Sequence, residues 1–166
     1  MLVIRPEQPA DAAAVFELHA ASFPSTAEAR LVDLLRAAGR LRVSLVAEAE
    51  GEVVGHVAFS PVTAASGPAG AGLAPVAVSE PQRRRGVAAA LIRMGLEACR
   101  EAGFGWVVVL GEPAYYSRFG FAPAAEFGLT DEYGGGGAFQ AVELVPGALP
   151  VGVGLVRYAP EFAEVA

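Results

Sequence analysis

The stretch from Leu73 to Leu110 constrains this chain more than any other. It reads as strand, helix and strand in close succession. Leu73 to Val78 is a short apolar run. Val87 to Ala102 sets a polar stripe (Arg93, Glu97, Arg100, Glu101) against Val87, Leu91, Ile92, Met94, Leu96, Ala98 and Cys99. Such a helix is buried along a wide face. Trp106 to Leu110 is apolar at every position, the pattern of a central strand covered on both sides. A strand–helix–strand unit this compact closes as a right-handed crossover with parallel strands. Pro75 cannot donate to a ladder, so a bulge or an open edge is expected there.

The turn inside this unit is Ser79-Glu80-Pro81-Gln82-Arg83-Arg84-Arg85-Gly86. It delivers three arginines and a glycine to the first turn of the helix. A helix N-terminus has unpartnered N–H groups and a partial positive charge, so it attracts anions, phosphate above all. Gly86 lets the backbone approach a ligand closely. A phosphate-bearing ligand is therefore expected at the end of the strand.

The 166 residues fit a single domain, 1–166, with room for a core. Hydrophobic residues make up 54% and charged residues 18%, which excludes a disordered chain. The net charge of −6 argues against a nucleic-acid binder, and it leaves the Arg83–Arg85 cluster unexplained by bulk composition. All 12 basic residues are arginine, which reads as compositional bias. The single cysteine, Cys99, excludes an internal disulfide and a cysteine-rich metal site, and its apolar flanks read as an inert core thiol. The N-terminus lacks the apolar core of a signal peptide, and no run reaches the length of a membrane span. A soluble cytoplasmic protein without membrane partners is expected.

Leu2 to Arg5 reads as a first strand. A helix follows with Pro9 in its first turn and Ala14, Val15, Leu18 and Ala21 on one face. Ser25-Thr26-Ala27-Glu28 matches a capping box that opens a second helix, with Leu31, Leu34, Leu35 and Ala38 inward. Leu41 to Ala47 and Val53 to Phe59 form a hairpin about Gly51. Alternation places Val54, His56, Ala58 and Ser60 on one face and Val53, Val57 and Phe59 on the other. Thr63 to Gly72 and residues 122 to 138 read as loops, with Ala114 to Phe119 a short helical turn. Phe139 to Leu144 and Val151 to Tyr158 close the chain as strands.

The segment Val78 to Ala88 resembles the acetyl-coenzyme A signature of the GNAT superfamily of N-acetyltransferases, Gln/Arg-x-x-Gly-x-Gly/Ala, met by Arg83, Gly86 and Ala88. The order of elements is similar too. Gly111-Glu112-Pro113-Ala114-Tyr115-Tyr116-Ser117-Arg118-Phe119-Gly120-Phe121 resembles the YhbS-like subgroup of bacterial N-acetyltransferases. The resemblance implies a mixed α/β fold, the GNAT-like acyl-CoA N-acyltransferase fold. It has about seven mostly antiparallel strands, a central parallel pair and about four helices.

The resemblance further implies direct acetyl transfer from acetyl-CoA, as co-substrate, to a primary amine on a small molecule or peptide, without a metal. Cofactor binding falls to the backbone of Val76, Ala77 and Val78 and to Arg83, Arg84, Arg85, Gly86, Val87, Ala88 and Ala89. Tyr116 matches the family's tyrosine general acid. The base is left open; Glu28 and His56 are candidates for the acceptor side, and Glu112 lies near the active end. Glu28 also has its capping role, and His56 also reads as a hydrogen-bonded wall residue. The family's frequent asparagine after the fifth strand is replaced by Gly111. Family members are often dimers, so a homodimer is compatible with this reading. A non-catalytic acyl-CoA-binding module on the same fold is the alternative, and a nucleic-acid binder using Arg83–Arg85 is a weaker one.

Overall fold

The computed structural model describes residues 1–150, 152 and 154–166. The strands are β1 (Leu2–Pro6), β2 (Val43–Ala49), β3 (Glu52–Val62), β4 (Gly70–Val78), β5 (Trp106–Leu110), β6 (Ala122–Pro123), β7 (Leu129–Asp131), β8 (Phe139–Glu143) and β9 (Gly154–Val156). The helices are α1 (Ala12–Ser22), α2 (Ala27–Ala37), α3 (Val87–Glu101), α4 (Pro113–Tyr116) and α5 (Glu161–Val165). Among the described residues, seven strands form a mixed sheet in the order β1-β2-β3-β4-β5-β8-β6. β4 and β5 run parallel, with Ala71, Gly72 and Leu73 opposite Val107, Val108 and Val109. The other registered pairs in this sheet are antiparallel. This is the GNAT arrangement that the sequence led us to expect.

Contacts divide the chain into two compact units. The first comprises Met1–Phe59, Ala74–Gly95 and Pro160–Ala166; the second comprises Ser60–Leu73 and Leu96–Ala159. β3, β4 and α3 each run through both.

In the first unit, β2 and β3 meet at Glu50-Gly51, both with positive φ (51° and 81°). That pair of left-handed residues makes the tight hairpin turn whose twist matches that of its strands. The register then shifts between Ala47 and Glu48: Ala47 faces Gly55, but Glu48 faces Val53. One extra residue on β3 flips the alternation on the turn side of Gly55. Val53 consequently packs with Val15, Val32 and Val46, contrary to the face that simple alternation assigns it. Other side chains of β3 turn toward α3. A Cβ at Gly55 would lie 3.0 Å from Leu91 Cδ1, and one at Gly95 would overlap the Phe59 ring. Small residues let this helix lie close on its strand.

The expected helix faces need adjustment. α1 buries Val15, Leu18 and His19 rather than Ala14 and Ala21. α2 buries Ala29, Leu31, Val32 and Leu35, and leaves Ala38 exposed. The capping box does not form. Thr26 is the N-cap without a side-chain bond, while Ser25 Oγ accepts from the Ala27 N–H at 3.2 Å.

In the second unit, the Trp106 ring lies on Gly70, where any Cβ would overlap it. Trp106 is 1% exposed and donates Nε1–H to the Pro68 carbonyl at 3.2 Å. Gly72 is closed in by Val62 and Tyr158. The segment read as a loop over 122–138 contains β6 and β7. β9 pairs in parallel with β7 in a separate two-stranded sheet, rather than closing the main one. The expected last strand began at Val151; Val151 and Val153 lie outside the described residues.

Candidate active site

In the first unit, β4 ends in the backbone of Val76, Ala77 and Val78, half-buried to buried. The Ser79 N–H donates to the Val54 carbonyl at 2.8 Å, which anchors the strand end. A single 3-10 turn, Glu80–Gln82, follows. Arg83 folds back, and its Nε–H donates to the Val78 carbonyl at 2.8 Å. Arg84 and Gly86 then adopt left-handed backbone, φ 64° and 79°. Such a conformation is rare for a residue with a Cβ, and turns built on it are among those that form anion-binding concavities.

α3 begins at Val87, and its opening bond is Ala90 N–H to the Gly86 carbonyl at 3.0 Å. The N–H groups of Val87, Ala88 and Ala89 precede that bond and have no carbonyl a turn behind them. Arg83, Arg84 and Arg85 are exposed, and the space where a Gly86 Cβ would sit is open. The turn thus offers backbone donors, a helix dipole and guanidinium groups to an anion.

Also in the first unit, His56 is fully buried between two partners. His19 Nε2 lies 2.8 Å from His56 Nδ1, and Ser44 Oγ lies 2.8 Å from His56 Nε2. Glu7 Oε1 is 3.8 Å from the same His56 nitrogen and accepts from Arg36 Nη2 at 2.6 Å. Burial pushes the His19 imidazole down to about 4. His56 is held well below its usual range by burial and by the nearby His19 and Arg36. Both rings are therefore neutral at physiological pH, each with one donor and one acceptor nitrogen. His19 escaped the sequence reading; its only signal was its place four residues after Val15.

Glu28 sits in the first turn of α2. Its Oε1 is buried and finds no hydrogen-bond partner among the described residues.

Tyr116 belongs to the second unit, where burial beside Tyr115 pushes its phenol up to about 12. α4 is short but well defined. Glu112 is its N-cap and accepts from the Ala114 N–H at 3.4 Å, and Pro113 stands at its first position. The Tyr116 ring meets Phe121 edge-on at 5.8 Å between centroids and lies against Gly111, where a Cβ would overlap it. The expected asparagine position is thus filled by the tyrosine ring itself. An amide does come close, from a residue the sequence reading passed over: Gln140 Nε2 donates to the Gly111 carbonyl at 3.1 Å.

Cys99 is buried and its thiol is raised to about 12, so it is not a nucleophile at neutral pH. Among the described residues, no three His, Cys, Asp or Glu side chains gather where they could hold a metal ion. No helix among them is long and apolar enough to cross a membrane.

The chain is 44% identical over 164 residues to the Escherichia coli K12 protein called uncharacterized N-acetyltransferase YhbS, covering 97% of this chain and 98% of that one. A 1.55 Å crystal structure of the E. coli YhbS N-acetyltransferase in complex with CoA superposes with a TM-score of 0.92, over 98% of this chain and 92% of that one. A GNAT family acetyltransferase from Brucella melitensis in complex with acetyl-CoA gives 0.81 at 38% identity, over 98% of both chains. Residues 3–124 match the family described as the acetyltransferase (GNAT) domain. With that match over most of its length and such relatives along nearly all of it, this chain belongs to the GNAT family of N-acetyltransferases.

Proposed function

We propose that residues 1–166 act as one catalytic domain that moves an acetyl group from acetyl-CoA directly to the primary amine of a small-molecule or peptide acceptor. The observation that carries this reading is the left-handed Arg84 and Gly86 backbone opening α3 among three exposed arginines. Its donors and open Gly86 surface fit a pyrophosphate. The CoA and acetyl-CoA held by the E. coli and Brucella proteins support the same ligand here.

In this reading Arg83, Arg84, Arg85 and the backbone of Gly86, Val87, Ala88 and Ala89 hold the phosphates. Val76, Ala77 and Val78 offer main-chain groups to the pantetheine arm, and the N–H of Val76 or Ala77 serves as oxyanion donor. When bound, acetyl-CoA supplies an activated acetyl thioester that a deprotonated amine attacks, with the thiolate leaving. Tyr116 acts on the leaving-group side. A phenol near 12 holds its proton more tightly than a thiol near about 8.5. Tyr116 therefore stabilises the departing sulfur by a hydrogen bond more than by giving its proton away.

On the acceptor side, the unmatched Glu28 carboxylate oxygen is a natural partner for an ammonium or amine proton. His56, with both nitrogens engaged by His19 and Ser44, serves as a hydrogen-bonded wall residue.

Thiol release on incubation with acetyl-CoA and a panel of primary amines tests the proposal. Release that depends on one class of amine is the expected result. Stoichiometric acetyl-CoA binding without release across the panel would favour an acyl-CoA-binding module instead.

A further inference from the structure

We infer that Gln140 is a positioning residue for Tyr116, acting through Gly111; this rests on the proposed role of Tyr116. Gln140 lies on β8 opposite Val109 of β5 and is 1% exposed. Its Nε2 donates to the Gly111 carbonyl at 3.1 Å and to the Ala138 carbonyl at 3.3 Å. Two carbonyl acceptors at one end fix which atom is nitrogen, because only the NH2 end can donate to both. The Gly111 N–H donates to the same Ala138 carbonyl at 3.0 Å. Both polar groups of Gly111 are thus tied to the start of β8, and its peptide planes cannot swing.

The next residue carries that constraint forward. The Glu112 carbonyl accepts from the Tyr116 N–H at 3.0 Å, and the Tyr116 ring rests on Gly111. The glycine surface is the floor of the tyrosine seat, and Gln140 sets its tilt.

Among the described residues, the hydrogen bonds of the amide all lie at its Nε2 end, on the Gly111 and Ala138 carbonyls. The Gln140 Oε1 atom is buried with no hydrogen-bond partner among the described residues. A buried acceptor without a donor destabilises a fold, and an apolar side chain of the same length avoids that loss. The amide thus stands here with its oxygen unmatched and its nitrogen holding Gly111.

The test compares Gln140→Met and Gln140→Leu with the parent, in full-length protein labelled with 13Cζ-tyrosine. Both variants remove the donor while filling the space, and both are expected to melt within a few degrees of the parent. With Gly111 released, the Tyr116 phenol becomes more hydrated. Its NMR titration should then move from about 12 toward 10 by at least about half a unit. Tyr133 and Tyr158, whose rings meet each other rather than Tyr116, are internal controls. Turnover of acetyl-CoA with n-butylamine as probe should show kcat down about tenfold and KM for acetyl-CoA within about twofold. In a Tyr116→Phe background the same Gln140 substitution should change kcat by less than about twofold.

An unmoved Tyr116 titration in both variants overturns the inference, as does an additive cycle. Parental turnover by Tyr116→Phe alone overturns the catalytic role of Tyr116 instead. In that case the NMR shift still decides whether Gln140 sets the ring.

Discussion

His19 Nε2 and His56 Nδ1 lie 2.8 Å apart with both rings fully buried. A neutral pair shares one proton across that gap comfortably. A protonated ring there would lose its water and face a second nitrogen that the Arg36 charge already influences.

Acid should therefore destabilise the protein through these two rings before its carboxylates matter. The folded value of His19 is depressed from 6.5 to about 4, so its contribution is fully present above pH 6.5 and is lost as pH falls toward 4. One such shift is worth about 3 kcal/mol. His56 shifts in the same direction and adds to the loss. Asp11, lowered by its bond to Arg5, loses its contribution only as pH falls through the usual carboxylate range and below, so it does not mask the upper part of this window. Urea midpoints measured from pH 7.5 to 4.5 should fall steadily, and a flat profile contradicts the assignment.

Arg85→Ala should separate ligand binding from folding. The side chain is exposed, so melting should change by less than about 0.5 kcal/mol, as for surface sites in general. Losing a charge-assisted contact to phosphate should raise the acetyl-CoA dissociation constant about tenfold or more. Arg83→Ala should do both, because Arg83 also ties the turn to the Val78 carbonyl. Calorimetric titration of the two variants, with melting curves alongside, checks the contrast. Equal affinity in parent and variants removes the phosphate role.

Tyr116→Phe should lower kcat about tenfold while leaving acetyl-CoA affinity unchanged, the signature of one hydrogen bond made only as the sulfur departs. Because the phenol sits near 12, the pH profile of the parent should show no tyrosine limb below pH 10. A basic limb below pH 9 that disappears in Tyr116→Phe contradicts the burial-driven shift.

Gly95→Ala tests the packing of α3. An added methyl would overlap the Phe59 ring, which is itself fully buried. Overpacking of this kind costs about 1–3 kcal/mol. Chemical denaturation should register that loss, although alanine is the better helix former. A more stable Gly95→Ala variant would show that Phe59 can move aside.

Much of this was legible because local chemistry and final structure agree. The run Trp106–Leu110 is a strand at the expected residues, α3 starts at Val87 behind its arginine turn, and Ala114–Phe119 is helical, as α4 running into a 3-10 turn. What escaped the sequence depended on distant partners. The faces of Val53 and Val54 were exchanged by one bulge residue, and a period-two pattern contains nothing that marks a bulge in a valine-rich strand. His19 reads as an ordinary polar residue on an alanine-rich helix until β3 brings His56 against it. Gln140 carries no local signal, since its partners at Gly111 and Ala138 become neighbours only when β5 and β8 pair. β9 reads as a closing strand because its composition does not say that its partner is the three-residue β7.

The protein contains a single tryptophan, and its ring is packed on Gly70 with its N–H satisfied by Pro68. Its emission is a built-in optical probe of the second unit alone. A blue-shifted spectrum reports an intact β4–β5 floor in that unit without any attached dye. Unlabelled protein can therefore be followed by fluorescence during acid or urea titration, with the histidine-containing unit silent at that wavelength.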